Sequence, residues 1–192
     1  MSLKISSATQ HESLKRITGL LICAAAMSVL TQCSKGPAEP VWTTFRAADG
    51  LGNDCVRTIA VDSRGTKWIT CGLSKVSRYD DRSWTTFLLP DYIHGTVTEI
   101  GVDEDDNKWI GTIAAGVIKF DGNTWTSYNE SNGFPGNDIL SVARDSDGNM
   151  WFGTRGAVVR YDGFEWTAYT HADGLASDTI TAICEDSEGN MW

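Results

Sequence analysis

The sequence repeats with a period of about 41 residues, and this period restricts the fold more than any other feature. Trp-Thr-x-aromatic occurs four times, with spacings of 42, 41 and 41, starting at Trp42, Trp84, Trp125 and Trp166. A second tryptophan series has spacings of 41, 42 and 41, at Trp68, Trp109, Trp151 and Trp192. Six residues before each member of that series stands an aspartate: Asp62, Asp103, Asp145 and Asp186. The chain is therefore predicted to be built from repeated supersecondary units.

Each unit is predicted to form four short strands, A to D, separated by turns. Strand A is predicted at 56–62, 97–103, 139–145 and 180–186, where apolar β-branched residues at odd and even offsets indicate that both faces are covered. Two residues before its Asp, every unit has a small residue that would let neighbouring sheets approach: Ala60, Gly101, Ala143 and Cys184. Strand A is therefore predicted to be the innermost strand.

The other three strands follow from the remaining repeated segments. Strand B contains the second tryptophan series, strand C ends at 78–80, 119–121 and 160–162, and strand D is the Trp-Thr-x-aromatic segment. The two aromatics of strand D are three residues apart, so they should point to opposite faces of the sheet. Four antiparallel strands per unit predict an all-β fold of β-propeller blades.

Residues 41–192 would then hold strand D of one blade, three full blades and the start of a further blade. Because propellers close with about four to eight blades, this is an incomplete ring. We expect a fragment of a longer propeller; the alternative is a half-ring that closes by self-association.

The first 33 residues have the pattern of an export signal. Lys15 and Arg16 precede an apolar stretch at 17–30, which is short for a membrane span and suits a signal-peptide core. The stretch ends in Leu30-Thr31-Gln32-Cys33, which resembles the lipobox of bacterial lipoproteins, although Gln32 replaces the usual small residue. The resemblance implies lipidation at Cys33, followed by a linker at 34–40. The alternatives are an uncleaved anchor helix or a plain secretory signal, and all three predict export.

Charge and cysteine content exclude several classes of function. The net charge is −9, and it becomes −11 when the charges of residues 1–32 (net +2) are removed. Such a surface repels nucleic acid and anionic lipid, so membrane association is expected through the lipid anchor only. Beyond the signal, Cys55, Cys71 and Cys184 lack the spacing of a metal site. We expect all three to be small buried residues; the alternative is that two of them form a disulfide.

No metal or other cofactor is predicted. The segment Asp145-x-Asp147-x-Asn149 resembles the opening of a calcium loop, but its twelfth position is Gly156 rather than Glu. Turns in which an Asp or Asn side chain accepts backbone hydrogen bonds explain these residues better.

Candidate binding residues lie in the D–A and B–C loops, which propeller geometry places on one face. The candidates are Arg46, Lys75, Tyr92, His94, Arg155 and His171. Arg155 could select an anionic sugar or a carboxylate; the alternative is that all six are solvated loop residues. Neither His94 nor His171 has a nucleophile beside it in sequence, so no catalytic residue is predicted.

The repeated segments resemble the two-component-regulator propeller repeat. One motif of the resemblance is the Gly-Leu or Gly-Phe segment before strand A, at 50–53, 133–137 and 174–178. The other is Trp-Ile/Phe-Gly-Thr in strand B, at 109–112 and 151–154. Unit 2 departs from it at 92–95, and unit 1 has Thr70-Cys71 in place of Gly-Thr. In that family the repeats commonly form periplasmic sensor portions of hybrid histidine kinases, and relatives occur as secreted proteins.

The resemblance implies an exported, non-catalytic propeller for ligand sensing or binding in the envelope of a Gram-negative-type bacterium, periplasmic or outer-membrane anchored. The ligand would be a glycan, another small molecule of the envelope or a protein partner such as a signalling histidine kinase. The alternative is a propeller enzyme such as a polysaccharide lyase or glycosidase.

Overall fold

The computed structural model describes residues 3–6, 42–90 and 95–192. The chain divides into two compact units, Lys4–Thr44 and the remainder. Strands β1 (Leu3–Ser6) and β2 (Trp42–Phe45) pair in a two-stranded sheet. Cys33, the predicted lipidation site, and the predicted linker at 34–40 lie outside the described residues, as do Tyr92 and His94. Within the described ranges, no helix is long and apolar enough to cross a membrane.

Three four-stranded antiparallel sheets follow, with strands in chain order. The first blade contains β3 (Val56–Val61), β4 (Lys67–Cys71), β5 (Lys75–Tyr79) and β6 (Trp84–Leu88). The second contains β7 (Thr96–Val102), β8 (Lys108–Ile113), β9 (Val117–Phe120) and β10 (Trp125–Tyr128). The third contains β11 (Ile139–Arg144), β12 (Met150–Thr154), β13 (Val158–Tyr161) and β14 (Trp166–Tyr169). The prediction of an all-β fold of propeller blades is confirmed.

Strand A carries the same irregularity in each blade. The pairing of strands A and B shifts by one residue between Val56 and Thr58, between Val97 and Glu99, and between Ile139 and Ser141. Each shift leaves one residue of strand A without a partner on strand B, as in a β-bulge. The unpaired residues are Arg57, Thr98 and Leu140.

The aromatic residues of strand D pack on opposite faces of their sheet, as predicted. Trp125 packs into the apolar cluster between the first and second blades, beside Phe120. Tyr128 packs into the cluster between the second and third blades, beside Trp109. Each blade is therefore joined to the next by apolar side chains, and within the described residues the three blades form an arc that does not close into a ring.

Glycines on the second blade permit this close approach. A Cβ atom on Gly101 would lie 2.8 Å from Val142 Cγ1, and one on Gly111 would lie 2.7 Å from Ile139 Cγ2. Both distances are shorter than real Cβ contacts allow, so the prediction that a small residue at position 101 serves the packing of neighbouring sheets is confirmed.

The substitution Gly111→Ala is expected to lower the free energy of unfolding by about 1–3 kcal/mol, because the added methyl group overpacks the junction against Ile139. Urea denaturation measures the change. Gly156→Ala is the matched control, since nothing lies within 4 Å of its Cβ position. Equal losses of stability in the two variants would show that close packing at Gly111 is unimportant.

Two expectations for strand A hold only in part. The segment predicted as strand A at 180–186 forms a single bridge, Glu185 with Met191, because only Met191 and Trp192 are present as its pairing partner. In the first blade Ile59 is 40% and Val61 57% exposed. Their strand is therefore not covered on both faces, since no preceding four-stranded blade packs on it within the described residues.

The expectation of three buried cysteines is wrong for two of them. Cys71 is buried, whereas Cys55 and Cys184 are exposed, and all three are free thiols. Cys55 lies at the end of a surface loop and Cys184 in the segment that forms only a bridge, so neither is enclosed by two sheets.

Candidate functional site

The repeated aspartates form a structural turn rather than a binding site. Their carboxylates accept a hydrogen bond from the indole Nε1 six residues later, at 2.9 Å in the first unit and 2.7 Å in the other three. They also accept backbone N–H groups within the turn; Asp62, for example, accepts those of Arg64 and Thr66 at 3.1 and 2.9 Å. The carboxylate oxygens are therefore occupied by donors of the protein. No group of three His, Cys, Asp or Glu that could hold a metal ion occurs in the described part of the chain.

These hydrogen bonds change the acidity of the aspartates. Burial tends to raise the pKa of Asp62 and of Asp145, but hydrogen bonds from the tryptophan ring and the turn outweigh it, so both pKa values lie below the ordinary value. A carboxylate that accepts several hydrogen bonds is stabilised in its charged form.

Acidification is therefore expected to destabilise the protein. A group whose pKa is lowered by folding contributes stability above its unfolded pKa, about 3.9 for Asp, and this stability is lost as the pH falls through the folded-state pKa. Urea denaturation from pH 7 down to pH 2.5 should show a constant free energy of unfolding above about pH 4.5 and a decrease below it. Stability that rises on acidification would contradict this assignment.

The D–A loops share one conformation in the three loops that the structure fully describes. Each begins with a 3₁₀ turn, at Ala47–Asp49, Glu130–Asn132 and His171–Asp173. The first amide of the turn donates to an Asp or Asn side chain seven residues later, at 2.6 Å to Asp54 and 3.2 Å to Asn137 in the first two loops. The next apolar residue, Leu51 or Phe134, is 1–2% exposed. The repeated Gly-Leu/Phe segment therefore anchors the loop.

The D–A and B–C loops meet on one face, as predicted. The N–H of Gly72 donates to Cys55 O at 2.8 Å, and the N–H of Gly116 donates to Asn137 O at 2.9 Å. In the third unit the hydroxyl of Thr179 donates to Arg155 O at 3.3 Å. These contacts hold the first B–C loop against the D–A loop that leads into its own blade, and the second and third B–C loops against the D–A loop that follows their blade.

Three of the predicted site residues make hydrogen bonds to nearby loop atoms, Arg46 and His171 within one loop and Lys75 to the D–A loop of its own blade. The N–H of Arg46 donates to Asp49 Oδ2 at 2.8 Å, and Lys75 Nζ donates to Gly52 O at 3.0 Å. His171 Nδ1 lies 2.7 Å from Leu175 O. No hydrogen bond or ion pair joins these three side chains to one another in the described residues, so the structure does not bring them into one site.

Arg155 lies at a cleft of about 460 Å³ between the loops of the second and third blades. Its Nε lies 2.8 Å from Asp138 Oδ2, and the other oxygen of Asp138 accepts the N–H of Ala114 at 2.9 Å. Across the loop, Glu130 Oε2 accepts a hydrogen bond from Asn137 Nδ2 at 2.8 Å. The cleft therefore presents one guanidinium group, two carboxylates and an amide.

Asp138 was not among the residues selected from the sequence, although a signal for it exists. The residue before strand A is Asp138 in the third unit but Cys55, Thr96 or Thr179 in the other units. Arg155 also stands in one unit only, because Gly72 and Ile113 follow the corresponding strand B residues Cys71 and Thr112. The pair is therefore not part of the pattern that all units share.

The wall of the cleft is also strained. Ala114 has φ 74°, a left-handed conformation that residues other than glycine rarely adopt. Such backbone strain persists where surrounding contacts maintain it, and it concentrates at binding sites. Here the hydrogen bond from the Ala114 amide to Asp138 maintains the conformation.

Comparison with known proteins supports the resemblance of the repeats. The family described as "Two component regulator propeller" matches residues 133–156 and 174–192. No curated protein matches the chain.

Solved structures show the same fold. The extracellular domain of a protein described as a hybrid two-component system from B. thetaiotaomicron superimposes with a TM-score of 0.66 at 20% identity, covering 80% of this chain and 22% of that one. A catalytically inactive virginiamycin B lyase from Staphylococcus aureus, with quinupristin, has a TM-score of 0.60 at 19% identity, covering 72% and 48%. PorZ, a surface component of the type-IX secretion system of Porphyromonas gingivalis, has a TM-score of 0.53 at 17% identity, covering 73% and 24%.

These structures place the chain among β-propellers. The fold is shared by extracellular domains of two-component systems and by a lyase, so the fold alone does not decide between binding and catalysis. The chain spans about a fifth of the first of these relatives and about half of the lyase.

Proposed function

We propose that this chain is an exported, non-catalytic β-propeller module for ligand sensing or binding, and that the ligand occupies the cleft beside Arg155. The observation that carries the proposal is the Arg155–Asp138 pair at the cleft, which the corresponding positions of the other units lack. The similarity of the chain's fold to extracellular domains of two-component systems supports a sensing role in the cell envelope. The ligand would be a glycan, another envelope molecule or a protein partner such as a histidine kinase, and Cys33 would carry the lipid anchor.

The hydrogen bonds in the cleft favour binding over catalysis. Oδ1 of Asp138 accepts a hydrogen bond from the Ala114 amide, and Oδ2 forms an ion pair with Arg155 Nε. A carboxylate used in this way orients the guanidinium group and is poorly placed to take up a proton from a substrate. Loop residues held on a rigid scaffold are typical of binding sites.

A propeller enzyme, such as a polysaccharide lyase or glycosidase, is the second candidate. The observation that favours it is the similarity of fold to virginiamycin B lyase. Incubation of the full chain with a panel of envelope polysaccharides is expected to yield no shortened products. Product formation that Arg155→Ala abolishes would instead assign catalysis to the same cleft.

Binding is tested on the full chain with an array of glycans and of envelope peptides, followed by calorimetric titration of the hits. We expect saturable binding to at least one ligand, and at least tenfold weaker binding by Arg155→Ala, equivalent to about 1.4 kcal/mol. Arg82→Ala is the matched control, because Arg82 is an exposed arginine in the C–D turn of the first blade. Binding by no array member, or equal losses in the two variants, would contradict the proposal.

A further inference from the structure

We infer that the chain associates head-to-tail with a second copy of itself, and that Trp42 of each copy occupies an apolar cavity between the third blade and the fourth unit of the other copy. This interaction is separate from ligand binding beside Arg155 and does not depend on it. Two features of the repeat carry the inference: an exposed strand D tryptophan, and a cavity whose lining matches the surroundings of a buried one.

The third blade shows what surrounds the tryptophan of strand D. The ring of Trp166 has three aromatic neighbours, at centroid distances of 6.0 Å to Trp109, 5.2 Å to Tyr128 and 4.9 Å to Phe134. The first two belong to the preceding blade, and Phe134 belongs to the D–A loop that leads into the third blade. A strand D tryptophan therefore packs into the junction with the blade before it.

One unit later, the same three positions line a cavity of about 330 Å³. The corresponding residues are Trp151, Tyr169 and Leu175. Leu175 is only half-buried, whereas Leu51 and Phe134, at the same position of earlier units, are 2% and 1% exposed. In both earlier units the strand D tryptophan belongs to the apolar cluster of this residue. The cavity therefore has the lining of a site for a strand D tryptophan, and Leu175 is still accessible to it.

Strand β2 provides a tryptophan of that kind. Phe45 at its end packs on the first blade, with its ring centroid 5.0 Å from Tyr79 and 5.3 Å from Trp84. Phe87, at the end of the next strand D motif, packs on the second blade in the same way. Trp42 stands three residues before Phe45, so it points to the opposite face of the strand, and it is 60% exposed. One face of this strand D is thus in use, and the other presents an exposed tryptophan.

A head-to-tail pair also brings together a second pair of exposed residues. At the junction between the second and third blades, a Cβ atom on Gly101 would lie 2.8 Å from Val142 Cγ1. Cys184 has the position of Gly101 in the fourth unit, and Ile59 has the position of Val142 in the first blade. Cys184 is exposed and Ile59 is 40% exposed. When β2 of one copy enters the cavity of the other, these two residues meet as their equivalents do.

The number of units favours a closed dimer. Two copies contribute three full blades each and share two further ones, which makes about eight blades, the upper end of the range in which propellers close. Because each copy carries both surfaces, the contact forms twice. A head-to-tail contact of this kind produces a ring when its rotation closes.

The oligomeric state of the full chain tests the inference. Sedimentation over a concentration series should show a dimer, and Trp42→Ala should raise its dissociation constant at least tenfold. Phe164→Ala is the matched control, because Phe164 is a 95% exposed aromatic residue in the C–D turn of the third blade. A monomer at every concentration, or equal losses in the two variants, would overturn the inference.

Mixing two variants tests the head-to-tail arrangement. Leu175→Asp places a charge in the cavity, so this variant and Trp42→Ala should each fail to dimerise alone. An equimolar mixture should form a dimer, because it retains one intact contact. Failure of the mixture to associate, as for a symmetric contact between two Trp42 side chains, would refute the arrangement. A monomer that Trp42→Ala destabilises towards urea would instead show Trp42 in the cavity of its own copy, and the second copy would be excluded.

A disulfide tests the register without altering the cavity. A Cβ atom on Gly101 would lie 3.8 Å from Val142 Cβ, about the separation of two disulfide-bonded Cβ atoms. In a Cys55→Ser background, Ile59→Cys with oxidised glutathione should therefore form a disulfide with Cys184 of a second copy, identified by peptide mass mapping. Arg82→Cys, in an exposed turn, is the control and should not. A dimer that forms no such disulfide, or one that both variants form equally, would contradict the inferred contact.

Discussion

Replacement of Trp109 by alanine is expected to lower the free energy of unfolding by about 3–5 kcal/mol, the range for removing a large buried aromatic side chain. Trp109 is 1% exposed and stands at the centre of the cluster between the second and third blades. Its ring lies 5.6–6.0 Å from the rings of Tyr128, Phe152 and Trp166. Loss of the ring leaves a cavity that strands from two blades cannot both fill.

Trp192→Ala is the matched control for this prediction. Trp192 occupies the same position of the repeat and donates the same 2.7 Å hydrogen bond to its aspartate, but its side chain is 74% exposed. Its loss should cost about 1 kcal/mol or less, the contribution of one hydrogen bond. Chemical denaturation of both variants separates burial from hydrogen bonding. Similar costs would mean that burial of Trp109 contributes little.

The second large effect is expected at the buried ion pair between the first and second blades. Lys108 Nζ lies 3.6 Å from Asp62 Oδ2 and 4.4 Å from the ring centre of Trp68. The two charged side chains are 3% and 1% exposed. Asp62→Ala leaves the ammonium group buried without its carboxylate and should cost about 3–5 kcal/mol.

A double variant tests the physical reason for that cost. Position 108 of the repeat is methionine in the third and fourth units, at Met150 and Met191. Lys108→Met should therefore restore part of the stability lost in Asp62→Ala, because no unpaired charge remains buried. Asp186→Ala, at the same turn but with exposed surroundings, should cost clearly less. A double variant less stable than Asp62→Ala alone would show that the buried charge is not the source of the loss.

Burial also changes the acidity of Lys108. Removal from water lowers the pKa of its ammonium group, and the charges of Asp62 and Asp106 oppose this shift only in part. The repeat pattern alone did not indicate this environment, because a lysine at the start of strand B also occurs at Lys67, which lies beside the exposed Asp81.

The strands of the three blades were predictable because every unit contains the same sequence pattern. Trp, Asp and Gly recur at fixed offsets, so strand boundaries that are ambiguous in one unit can be assigned from the other units. The prediction of strand A in the fourth unit holds only in part. Its sequence has the pattern of a strand, but hydrogen bonding needs a neighbour, and only Met191 and Trp192 pair with it.

The candidate site was predictable only in part, for a different reason. Arg155 could be chosen as a charged loop residue, whereas Asp138 contacts it from 17 positions earlier in the chain. No local spacing indicates that contact, because it depends on how two blades pack. The useful signal is departure from the repeat, since a residue found in one unit is not required by the pattern that all units share.

The unpaired residue in every strand A has a consequence for aggregation. Strand A is the first strand of each sheet, so the edge that faces away from strand B carries backbone N–H and C=O groups that another extended chain could pair with. An extra residue at Arg57, Thr98 or Leu140 twists that edge and breaks the regular spacing of its donors and acceptors. A flat strand from another molecule would find no continuous register there. The irregularity therefore guards against edge-to-edge assembly of a protein composed largely of short strands.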